Sequence, residues 1–108
     1  MRLEVYTFDR ELPSLLMGPE PSEGAEVIPC DGARLRYERT FAGRVRDFPQ
    51  IHYFDVEVRS EQAAATVVDW FMERTRGRAM EKVVVNFENT RMDAQEMRRL
   101  LCSGKSVL

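Results

Sequence analysis

The stretch "QIHYFDVEVRSEQAAATVVDWFMERTRG", residues 50–77, changes its hydrophobic period halfway along, and that change decides the fold. Over 50–58 the residues alternate. His52, Phe54, Val56 and Val58 fall on one face, with Tyr53, Asp55 and Glu57 on the other, which is the pattern of a half-buried strand. From Ser60 the period lengthens to that of a helix. Ser60 can accept from the first free amides, and Glu61 sits where the helix dipole favours an acid. The helix is predicted to run to about Arg76, with Gly77 as its stop.

The helix is apolar over too wide an arc. Ala64, Val67, Val68, Phe71 and Thr75 form the central stripe, flanked by Ala65 and Met72 on one side and by Ala63 and Trp70 on the other. A helix lying on one sheet face needs a stripe roughly 100° wide, and this one is about twice that. Something else should cover part of it: the last helix, through Ala94, Met97, Leu100 and Leu101, on one flank, and on the Trp70 flank either the 18–33 excursion or, the reading preferred, a partner. The Trp70 flank, with Arg74 one turn on and able to lie over the indole, and with Ala63 beside it, is therefore the expected contact surface for a partner. A homodimer is the default form of such a partner.

Downstream, "EKVVVNF" at 81–87 reads as a short buried strand, and Asp93 with Glu96 reads as a capping box for a last helix ending near Gly104. Upstream, "RLEVYTF" at 2–8 alternates as a first strand. "ELPSLLMG" permits a short helical turn, and "GPEPSEGAE" is a surface excursion. In "EVIPCDGARLRYERTF", Asp31-Gly32 between two extended runs predicts a hairpin of the type I′ kind, and Pro29 consigns its first arm to a sheet edge. The element order is thus β-β-β-β-α-β-α. It predicts a single α+β domain over 1–108, a two-layer sandwich with a mixed four- or five-stranded sheet and two main helices on one face. Strands 51–58 and 82–87, joined by a right-handed crossover, should be parallel neighbours or near-neighbours.

The arginines need separate treatment. Residues 33–46 carry Arg34, Arg36, Arg39, Arg44 and Arg46 against Glu38 alone, while residues 1–32 carry seven acids against two arginines. An antiparallel register that joins Arg36 to Asp55 also joins Arg34 to Glu57, Leu35 to Val56 and Tyr37 to Phe54, so most of this apparent basic patch should be neutralised within the sheet. The same register sets Arg39 opposite His52, the one histidine of the chain. With Arg44 in the nearby loop and Tyr37 as a wall, these residues would frame a small-anion or small-ligand pocket. The plainer reading makes His52 a polar residue at the mouth of the core.

Composition excludes more than it assigns. A net charge of −2 and only two lysines argue against a nucleic-acid ribbon, although "RLRYERTFAGRVRDF" interleaves arginines and aromatics. The chain has no Gly-rich phosphate loop, nucleophile elbow or paired-cysteine motif, and one histidine cannot build a multi-histidine metal site. Cys30 and Cys102 read as ordinary thiols, with a disulfide between them left open. No segment has membrane-spanning length, and the first residues lack a signal-peptide run. The expectation is a soluble, cytoplasmic, non-catalytic binding or interaction protein that self-associates, with no cofactor and no metal.

Overall fold

The computed structural model describes residues 1–41 and 50–103. The order is β1 (Arg2–Thr7), α1 (Leu12–Met17), β2 (Glu26–Cys30), β3 (Ala33–Phe41), β4 (Ile51–Val58), α2 (Glu61–Arg74), β5 (Lys82–Val85), β6 (Glu88–Thr90) and α3 (Ala94–Ser103). The protein is α+β, with one six-stranded sheet ordered β2-β3-β4-β1-β5-β6. Every neighbouring pair is antiparallel, so the expected mixed sheet of four or five strands is corrected. β4 and β5 do share a direction, as the crossover requires, but β1 lies between them and pairs with both. The sixth strand is the three residues after Phe87.

Alternation in the strands sorts core from surface. Leu3 and Val5, Leu35 and Tyr37, Phe54 and Val56, and Val83 and Val85 are buried on one face. On that face they join Leu12 and Leu16 of α1, the central stripe of α2, and Met97, Leu100 and Leu101 of α3 in one cluster. Three helices contribute to the core, since the turn after Pro13 becomes α1, with the proline in its first turn and Gly18 at its end. No helix among the described residues is long and apolar enough to cross a membrane.

Neighbouring elements of the chain pack along the wide arc of α2. α2 touches β2 and β3 of the sheet, α3 on one side and α1 on the other. Asp69 of α2 faces Arg98 of α3 at 3.7 Å, on the Met72 side. On the Trp70 side, Arg74 donates to the Leu15 carbonyl of α1 at 3.3 Å. Ser60 caps α2 by accepting from the Ala63 amide, as its position predicts. The helix ends two residues early, at Arg74, because the Thr75 hydroxyl turns back to the Phe71 carbonyl and Gly77 takes φ +76 in the following turn. At α3, Asp93 accepts from the Glu96 amide, while the Glu96 carboxylate is taken by Arg99 rather than completing the box.

Candidate functional site

The predicted register of β3 on β4 holds over its first half. Arg34 faces Glu57, Leu35 faces Val56, Arg36 faces Asp55 and Tyr37 faces Phe54. The register then slips at Glu38, which sets Arg39 opposite Tyr53 and Thr40 opposite His52. A single extra residue in a strand moves everything beyond it to the other face. Arg39 therefore stands on the outer face and not beside His52, which corrects the proposed Arg39–His52 opposition. Arg44 lies outside the described residues.

Of the four residues predicted to frame a ligand pocket, the fold brings two together. The Tyr37 hydroxyl meets His52 Nδ1 at 2.8 Å, and both side chains are buried. Burial holds the His52 pKa below its usual value, against a weaker pull upward from Asp9. Asp9 is held by Arg78, whose guanidinium also reaches Glu11. Burial would raise the Asp9 pKa, but the Glu11 amide and Arg78 outweigh it and the carboxyl ends below its ordinary value. His52 is thus a neutral imidazole paired with a phenol at the end of the core. Among the described residues no group of three or more His, Cys, Asp or Glu could hold a metal.

The outer face is a polar lattice. Arg2 grips Asp55 through Nε and Nη2 at 2.7 and 2.8 Å, and Asp55 is only 8% exposed. The Tyr53 hydroxyl donates to Glu4, and burial with that carboxylate pushes the phenol well above its ordinary pKa. Tyr6 stacks on Tyr53 at 4.7 Å and Lys82 lies over Tyr6. Arg34 and Arg36 pair with Glu26 and Glu38, not with Glu57 and Asp55. Asp55 was claimed from the other side, by β1. The arginines are neutralised in the sheet as expected, by different acids.

The predicted interface residues divide similarly. Arg74 does lie over Trp70, 4.8 Å from the ring centre, and Trp70 is partly buried against the core. Ala63 is 3% exposed, sealed beneath the β2–β3 hairpin, where a Cβ on Gly32 would come within 3.2 Å of it. It is a core residue, which corrects its assignment to a contact surface.

A different position stands out at the far edge. β5 and β6 are joined by a two-residue turn, Asn86-Phe87, and both residues have positive φ, +48 and +70. That is the type I′ pattern, in which glycine is the usual second residue. Asn86 suits the left-handed conformation, and its side chain is fully used. It accepts from the Arg2 amide at 2.9 Å and donates to the Leu100 and Leu101 carbonyls near the end of α3. Phe87 has no such return. It is 84% exposed, the most exposed large apolar side chain among the described residues. Sequence reading missed it because Asn-Phe is not a turn signal. The run "VVVNF" instead looked like one continuous strand. Comparison of the chain with protein-family models, curated proteins and solved structures finds no match in any of the three.

Proposed function

We propose that the chain is a non-catalytic interaction domain whose contact surface is the β5–β6 end of the sheet, with Phe87 as the anchor. The observation that carries this reading is Phe87 itself, a bulky residue at φ +70 with 84% of its surface in water. A left-handed conformation costs a non-glycine residue on the order of 1–3 kcal/mol, and an exposed ring recovers nothing from its own core. Burial of that ring by another protein would recover about 1.5–3 kcal/mol. The hydrogen bonds of Asn86 hold the turn in place, so the ring is presented from a fixed base rather than a loose loop.

The test needs no partner. Phe87→Gly relieves the strain, and the variant should be more stable than the parent by about 1 kcal/mol in urea unfolding. An unchanged or lowered stability would mean that Phe87 serves its own fold, and the reading would fail. Association through the Trp70 flank is the less favoured reading, because α1 and α3 pack along α2 and Trp70 is partly buried against the core. A ligand pocket would have to be built on Tyr37 and His52 without Arg39.

A further inference from the structure

The two edges of the sheet are defended differently. β2 contains Pro29, which has no amide hydrogen, and its pairing with β3 slips between Val27 and Cys30. Both features spoil an edge as a template for another strand. β6, Glu88–Thr90, has no proline, no lysine and no slip in its pairing with β5. Its outward groups can be worked out from the ladder. The Asn86 amide donates to the Arg2 carbonyl in β1, so Val84 shares that direction while Val83 and Val85 face β6. Their partners Thr90 and Glu88 face back. The N–H and C=O of exposed Asn89 therefore point away from the sheet.

We propose that β6 pairs with β6 of a second copy, antiparallel about a two-fold axis at Asn89, so that two sheets become one. This rests on the reading of Phe87 as a contact residue. Pairing about Asn89 lets the two Asn89 backbones exchange both hydrogen bonds. It opposes Glu88 to Thr90 of the second copy, so like charges do not meet directly. Phe87 comes opposite Arg91 of the second copy, an exposed side chain whose guanidinium can lie over the ring. The segment 86–91, "NFENTR", has one acid and one base and so no net repulsion against itself. An unrelated strand would find the same backbone groups, but only this chain is certain to bring an arginine to Phe87. Three-residue strands bury little, below the ~1,200 Å² of a stable interface, so the dimer is weak and concentration-dependent.

The experiment is sedimentation of the full chain from about 5 µM to about 500 µM, a span chosen for a micromolar dissociation constant. The parent should shift toward dimer across the series. Asn89→Pro removes an outward-facing amide without removing a ladder hydrogen bond to β5, and should stay monomeric with unchanged tryptophan fluorescence. Arg91→Glu changes a side chain beyond the strand and should weaken association several-fold, which covers the case in which proline disturbs the hairpin. A parent that is monomeric throughout, or a dimer indifferent to Arg91→Glu, overturns the pairing. Because the Phe87→Gly stability test works on monomer, a monomeric parent with a stabilised Phe87→Gly variant removes the second copy alone and leaves Phe87 as an anchor for another protein.

Discussion

Two hairpins of this sheet, β2–β3 and β5–β6, turn in two residues each, and they treat the left-handed conformation in opposite ways. At Asp31-Gly32 only the glycine has positive φ, +89, so the turn is not the expected type I′. Its bare Cα faces Ala63 of α2, and the absence of a side chain there is what lets the hairpin sit on the helix. At Asn86-Phe87 both residues are left-handed and neither is glycine. The first hairpin uses its special residue for packing. The second holds a strained backbone beneath a ring that is 84% exposed, and that contrast is what favours it as the contact surface proposed above.

The largest effect is expected at Asn86. Asn86→Ala deletes three hydrogen bonds that join β1, the turn and α3, and should cost about 2–3 kcal/mol in urea unfolding. A loss below half of that would mean that the turn is not held by its side chain. Gly32→Ala should cost about 1–2 kcal/mol, since it meets an unfavourable φ and Ala63 together. If it is neutral, the packing role of the first hairpin is wrong.

Acid should separate the two ends as well. His52, paired with Tyr37 of the first hairpin's second strand, has its folded pKa depressed by burial. Its contribution to stability is present above the unfolded value near 6.5 and is lost as pH falls through the lower folded pKa, at no more than about 1.4 kcal/mol per pH unit. Amide protection in β3 and β4, corrected for the slower intrinsic exchange in acid, should therefore fall between pH 7 and pH 5 by more than protection in β6, and His52→Gln should flatten that dependence. The smallest effect belongs to Arg34→Ala and Arg36→Ala. Their ion pairs at 3.9 and 3.5 Å are about half exposed, so each change should stay within about 0.5 kcal/mol. A larger loss would show that charge, not turn geometry, holds the first hairpin.

How far these features could be read from residues follows the same division. Asp31-Gly32, Pro29 and Ser60 each announce themselves, because one residue type satisfies one backbone requirement. The β3–β4 register was legible as far as Tyr37, since opposite charges and matching apolar residues converge on it. The slip at Glu38 was not, because a bulge without glycine leaves no mark in composition. That slip carried Arg39 away from His52. The partner of Asp55 was hidden for another reason: Arg2 comes from a strand fifty residues earlier, and adjacency in a sheet is not written in pairs of strands taken alone. Phe87 was invisible because it breaks the turn rule by which a turn is recognised.

The place of β1 has a kinetic consequence. It comes first in sequence yet lies between β4 and β5, and it contacts residues about fifty and eighty positions later. The β2–β3–β4 meander and the β5–β6 hairpin are local and can form early, but β1 can join them only after two long loops have closed. Refolding should therefore show the sheet closing last at its centre, on a millisecond-to-second timescale rather than microseconds. Until that moment β4 and β5 present open inner edges to any neighbouring chain.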